Sequence, residues 1–356
     1  YCEIASERVR ARFPDCEIIA VPVADGGEGT VECFLSAMSG ERVVCTVAGP
    51  LGDPVRASYA RFGTTAVIEM AQAAGLPLIE DRRDPCRAGT YGVGELARHA
   101  AENGCTELVI GLGGSSTNDA ACGMAAALGV RFFDAAGESF LPTGGTLERV
   151  ASIDCAPARA LLAGCTVTAM CDIDNPMFGP TGAAYVFGPQ KGADPATVET
   201  LDRGLRSLSG VIEAQLGVSV AQLPGAGAAG AMGAGIVACL GGSLKPGIQT
   251  VLDLSDFERL LEGTELVFTG EGQIAGQSLR GKVVIGVSRR AAAQGVPVVA
   301  VVGDIGDDAQ GAYELGVSAI FSINRVAVPF SQARLRSKRD LRDTFDSILR
   351  LLGAVQ

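Results

Sequence analysis

The chain has 356 residues, 47% of them hydrophobic and 5% aromatic, with 48 Gly, no Trp and a formal charge of −11 at pH 7. This length allows a large core divided between two domains rather than one. The acidic balance, with no long Lys/Arg run, argues against a nucleic-acid surface, whose affinity rests on cationic contacts to phosphates. No segment reaches the roughly 18 apolar residues that span a bilayer, and the first residues do not form a signal peptide. The eleven cysteines, odd in number and without CxxC or Cys/His clusters, read as reduced core thiols with no structural zinc. The expectation is a cytoplasmic protein with a small-molecule partner, no nucleic acid and no membrane.

In chain order, "YCEIASERVRARF" opens inside a helical pattern without a leading strand, as if an element had been removed from the front. "EIIAVPVAD" (17–25) reads as a strand, and "VECFLSAMSG" (31–40) as the helix after it. Residues 41–72 read as three short strands in a meander, with a Gly-Pro turn. "GELARHAAENG" (94–104) is an amphipathic helix carrying the only histidine, His99, as a surface residue. "ELVIGLGG" (107–114) is a strand, and 167–193 is strand and turn rather than helix. Strands then recur at 265–272, 296–304 and 317–324, with helical patterns at 286–295 and 307–316. Such alternation predicts a largely parallel α/β sheet, whose strand ends share one side where ligands bind. The meander and the 167–193 region predict a second, mixed-sheet domain. The expected division is 1–42, 73–129 and 246–356 against 43–72 and 130–245, with a cleft between.

Several strand ends carry glycine and polar groups. In "GLGGSSTND", Gly113 and Gly114 allow tight turns, while Ser115, Ser116 and Thr117 add hydroxyls before a helix start, a pattern suited to a phosphate. An ordinary capped helix uses the same residue types, but needs only one. In "ADGGEGT" (24–30), Asp25 and Glu28 flank Gly26 and Gly27; near a phosphate they would hold Mg2+, take a proton or accept substrate hydroxyls, and Asp25 could equally cap the helix. "CDIDNP" (171–176) sets Asp172 and Asp174 on one side of a strand, for Mg2+ or general-base work, or as a solvated turn. Lys191, in "GPQKGA", could neutralise a phosphate, and "TGEGQ" (269–273) adds Glu271.

Two generic matches fail on context. "GAGAAG" (225–230) follows no strand, so a dinucleotide site is not implied. "GQSLRGK" (276–282) has Val283 where a P-loop needs a hydroxyl, although Lys282 stays a possible phosphate contact. A lone helical His99 and the absence of G-x-S-x-G argue against triad catalysis.

Taken in order, "VPVADGGEGT", "IGLGGSSTNDAACGMAAALG", "CDIDNPMFGPTGAAYVFGPQKGA", "LPGAGAAGAMGAG" and "LVFTGEGQIAGQS" resemble the bacterial type I glycerate kinases over nearly the whole chain. The resemblance implies ATP- and Mg2+-dependent phosphorylation of D-glycerate at the 2-hydroxyl, with the 3-phospho product as the alternative. It also implies a flavodoxin-like (Rossmann-like) domain interrupted by a mixed α/β domain, with the site in the cleft. On that reading Gly113 to Thr117 cradle phosphate, and Asp172 or Asp174 binds Mg2+ or acts as base. Asp25, Gly26, Gly27, Glu28, Asn118 and Asp119 serve the substrate, Glu271 is catalytic, and Lys191 and Lys282 neutralise phosphate. Family members usually begin with a strand and an Asp-Ser-Phe-Lys turn, which precede the point where this sequence starts. The family's GEGRxD stands here with Gln273 for Arg and Ala275 for Asp, and Ala231 replaces a glycine. These changes keep two other readings open: a catalytically impaired member that binds nucleotide or glycerate, and a kinase for another small hydroxy acid.

Overall fold

The computed structural model describes every residue except Ala24, Asp25, Gln277 and Gln356, and every side chain in its helices and strands except those of Ala37, Arg280 and Val355. Asp25 therefore lies outside the described residues. The fold is mixed α/β, in two compact units: residues 24–247, and residues 1–23 with 248–356.

The 24–247 unit is organised by a six-stranded sheet in the order 41–48, 54–62, 65–69, 107–111, 166–170 and 243–245. The first three strands form the expected antiparallel meander, and the remaining pairings are parallel. Leu108, Val109 and Ile110 are all buried, as a parallel strand covered on both faces requires. Fully burying each such side chain stabilises the fold by roughly 1.5–3 kcal/mol. The long helix Pro195–Leu216 shows why its ends fall where they do. Asp194 accepts the Thr197 N–H at 2.7 Å, Pro195 opens the first turn, and Gly217 closes the helix at φ 67°. The Ala/Gly-rich helix Ala228–Leu240 lies close to its neighbours: a Cβ on Gly235 would stand 1.9 Å from the Ala120 carbonyl oxygen.

The other unit holds a three-stranded parallel sheet in the order 267–269, 298–302 and 319–322. Its central strand shows a period of two. Val299 and Val301 pack with Ile4, Phe345 and Ile348 from the helices Cys2–Arg12 and Phe330–Val355. Ala300 and Val302 pack with Val284 and Ile285 of the helix Val283–Ala293. Arg8 joins the terminal helices through a 2.8 Å bond to Asp346. No helix among the described residues is long and apolar enough to cross a membrane.

Two expectations are corrected. Residues 17–23 form no strand; they are mostly exposed, and Pro22 cannot donate to a ladder. A β-branched run becomes a strand only by pairing. The compact units also divide differently from the expected 1–42, 73–129 and 246–356 against 43–72 and 130–245. The reason is the 107–111 strand, which pairs in parallel with both 65–69 and 166–170 and so brings 73–129 into the mixed sheet. The 167–193 segment is strand and turn to residue 182, then carries the short helices Ala183–Phe187 and Pro189–Lys191.

The glycines of the helices separate packing from propensity. Gly210, exposed in the 195–216 helix, has nothing within 4 Å of an added Cβ. Gly210→Ala is expected to raise stability by about 0.5–1 kcal/mol. Gly235→Ala is expected to lower it by more than about 2 kcal/mol, since backbone must move. Urea unfolding of both variants checks the contrast, and equal effects would contradict this packing.

Candidate functional site

At the end of the 107–111 strand two glycine loops meet. The Gly113 N–H donates to the Gly26 carbonyl at 2.8 Å, and a Cβ on Gly113 would lie 2.3 Å from Gly27 Cα. Gly26 itself has φ 86°, a conformation that favours glycine. The 26–30 loop can thus rest on the strand end only because neither chain carries a side chain there. Glu28 and the 113–115 backbone consequently line one cavity of about 500 Å3, together with Arg83, Asp172 and Lys191.

Behind this wall the 116–121 segment is buried. The Ser116 hydroxyl donates to the Ala74 carbonyl at 3.0 Å, so it serves packing. One Asp119 oxygen accepts from the Thr90 N–H (2.8 Å), the Thr90 hydroxyl (2.8 Å) and the Gly123 N–H (3.1 Å). It thereby binds the starts of the helices Tyr91–Glu102 and Cys122–Ala127, where a carboxylate is favoured. Burial nevertheless pushes the Asp119 carboxyl above its usual range, against those donors. Thr117 Oγ1, both amide atoms of Asn118 and the second Asp119 oxygen are buried without a hydrogen-bond partner among the described residues. Leaving a polar group so costs about 1–3 kcal/mol.

Lys191 enters this buried layer from the 188–192 turn. Only 1% exposed, its Nζ donates to the Thr117 carbonyl at 2.6 Å. Burial pushes the amine down to about 7, while the Asp119 carboxylate acts to raise it. The same Thr117 carbonyl lies against Gly230, where a Cβ would approach it to 2.0 Å. Gly230 is the middle of a left-handed turn with Ala229 (φ 53°) and Ala231 (φ 66°), and Ala120 and Ala121 are left-handed too. Four alanines thus adopt a conformation that costs about 1 kcal/mol or more each, two of them flanking Gly230. Ala231 takes a left-handed backbone, φ 66°, which glycine adopts without strain.

The predicted residues are only partly gathered. Gly27, Glu28, Gly113, Gly114, Ser115, Asp172 and Lys191 line the cavity; Gly26, Ser116, Thr117, Asn118 and Asp119 support it from behind or below. Asp172 also accepts the Gly247 N–H at 2.8 Å. Asp174 is exposed and outside the wall. Among the described residues no three His, Cys, Asp or Glu side chains cluster to hold a metal. Glu271 and Lys282 belong to the other unit, where they line a second cavity of about 670 Å3 with Gln273, Ala275, Ser278 and Asp308. Burial raises the Glu271 carboxyl, and its Oε1 has no partner among the described residues. Lys282 sits at the start of the Val283–Ala293 helix, where an anion is favoured. His99 is exposed, 3.1 Å from the Tyr59 hydroxyl and away from both cavities. Arg83 was not foreseen, because a charged run such as "EDRRD" (80–84) reads as a solvated turn.

A buried lysine whose amine is held near 7 makes stability pH-dependent. The unfolded chain binds a proton at Lys191 up to the ordinary lysine range and the folded chain only below about 7, so this group adds stability as pH rises between them. Lys191→Met should remove up to about 1.4 kcal/mol per pH unit of that slope. Denaturant unfolding from pH 7 to 10 measures it; parallel curves for the two proteins would mean that the amine is charged when buried.

Comparison with known proteins agrees with this architecture. The profile of the Glycerate kinase family matches residues 1–353. A glycerate kinase from Bacillus cereus is 40% identical over 350 residues, covering 98% of this chain and 92% of that protein. The glycerate 2-kinase of Escherichia coli is 44% identical over 317 residues, covering 88% and 83%. A crystal structure from Salmonella typhimurium, provisionally designated glycerate kinase 2, superposes with a TM-score of 0.85 at 39% identity, covering 99% of this chain and 94% of that one. The chain belongs to the glycerate kinase family.

Proposed function

We propose that this protein is a glycerate kinase that transfers the γ-phosphoryl group of ATP to the 2-hydroxyl of D-glycerate, giving 2-phosphoglycerate and ADP. The observation that carries the reading is the cavity in which two glycine loops, an acid and a buried lysine converge. Phosphoryl transfer asks the protein for positioning and charge neutralisation rather than covalent chemistry. Backbone N–H groups of Gly114 and Ser115 cradle the transferring phosphoryl group, while the Gly113 N–H holds the loop to the Gly26 carbonyl. The Ser116 to Asp119 segment fixes that backbone and sets Lys191 behind it.

Lys191 is suited to a charge that arrives and departs. Its amine is held near 7 before phosphate enters, and an incoming anion raises its affinity for a proton. Binding the anion therefore takes up a proton at Nζ, which then neutralises the charge that spreads over the phosphoryl oxygens. Glu28, with Asp25 of the same sequence run, accepts the substrate hydroxyls, and Glu28 takes the proton of the attacking one. Mg2+ bound with nucleotide phosphates would supply charge neutralisation at the phosphoryl oxygens, and it typically takes only one or two protein carboxylates. Asp172, on the cavity wall, is the carboxylate that fits it, ahead of the outlying Asp174.

In the 1–23 and 248–356 unit, which we take as the flavodoxin-like part, Lys282 and the helix start behind it suit a nucleotide phosphate, and Glu271 supports that loop. Gln273 and Ala275 line the same cavity where the family has a cation and a carboxylate, which favours a second reading as a binding protein without turnover. A coupled assay with D-glycerate and ATP-Mg2+, with 31P NMR of the product, separates the two. Turnover to 2-phosphoglycerate is expected. Stabilisation by nucleotide or glycerate without product would establish the binding protein, and faster turnover of another hydroxy acid would reassign the substrate.

A further inference from the structure

We propose that Arg83 receives the carboxylate of the hydroxy acid and so selects which hydroxyl is phosphorylated. This inference rests on the glycerate kinase reading of the cavity. A substrate that carries a carboxylate needs a cation beside the reacting hydroxyl, and the cavity wall offers two, Arg83 and Lys191. Lys191 serves the phosphoryl group in that reading: it is buried, and its Nζ donates to the Thr117 carbonyl. Arg83 differs in exposure and shape. Its side chain is 36% exposed, and the planar fork of its guanidinium matches the two oxygens of a carboxylate.

The guanidinium is also held in place. Nη1 donates to the Gln190 carbonyl at 3.2 Å, within the turn that carries Lys191. In that turn Gly192 has φ 98°, and a Cβ there would approach Arg83 Cβ to 2.9 Å, so backbone lies directly on the arginine stem. Nη2 already meets a carboxylate, Glu80 Oε1, at 3.4 Å. Glu80 is 70% exposed at the side chain and an i,i+3 neighbour, a weak partner that a substrate carboxylate can displace. Arginine and phosphate cradle thus line one cavity. The 2-hydroxyl is borne by the carbon next to the carboxylate, whereas the 3-hydroxyl is one carbon further away. Anchoring the carboxylate at Arg83 beside Gly113 to Ser115 brings the nearer hydroxyl to the phosphoryl group.

The test is steady-state kinetics of Arg83→Gln and Arg83→Lys, with 2,3-dihydroxypropanamide as a neutral analogue and thermal shift by D-glycerate alone. Arg83→Gln should raise KM for D-glycerate by about ten- to a hundredfold while KM for ATP changes less than about twofold. The preference of the wild type for glycerate over the amide should collapse, and stabilisation by glycerate should disappear. Arg83→Lys, which keeps the charge but not the fork, should fall between. An unchanged KM for glycerate, or a parallel rise in both KM values, would overturn the role of Arg83 while leaving the kinase reading standing. A wild type that neither turns over nor is stabilised by glycerate would overturn both.

Discussion

The 2.6 Å hydrogen bond from Lys191 Nζ to the Thr117 carbonyl ties together segments 74 residues apart, and the geometry of the cavity follows from it. An amine is taken out of water to make it, at a cost that only a well-built surround can offset. That surround is visible. Gly230 leaves room for the carbonyl, Asp119 binds two helix starts beside it, and alanines on both sides adopt left-handed backbone. Strain of this kind persists where the neighbouring structure over-determines it. Here it fixes the backbone that leads from the 107–111 strand into the wall of the cavity.

The proposed site needs no catalytic histidine. Fixed dipoles and cations are more effective where water is excluded, because they need no reorganisation when charge moves. Two cations with different chemistry divide the work in the proposed site. The buried lysine offers a point charge, and the half-exposed arginine a planar fork. Both are held by the 188–192 turn, Lys191 by membership and Arg83 through Gln190 and Gly192.

Much of this was legible in the sequence, for stated physical reasons. Glycine pairs at 26–27 and 113–114 announce close backbone approach, and the two loops do meet. The meander at 41–72 declares itself by short β-branched runs between turns. Pairing was not legible, since no local signal says that 107–111 joins 65–69 and 166–170. Nor does a run of five polar residues tell which will point at a ligand. Ser115 reaches the cavity, whereas Ser116 and Asp119 turn inward to carbonyl and helix starts. Arg83 was invisible because its meaning comes from Gly192 and Gln190, more than a hundred residues away.

The central claim is that hydroxy acid and phosphoryl group meet on the wall built by the 113–115 loop and the 188–192 turn. A crystal structure of the protein with D-glycerate and a non-hydrolysable ATP analogue tests it most directly. The account predicts the glycerate carboxylate against the Arg83 guanidinium, with the 2-hydroxyl facing the terminal phosphate over Gly113 to Ser115. Glycerate bound instead among Glu271, Ser278 and Lys282, with the first cavity unchanged, would contradict it.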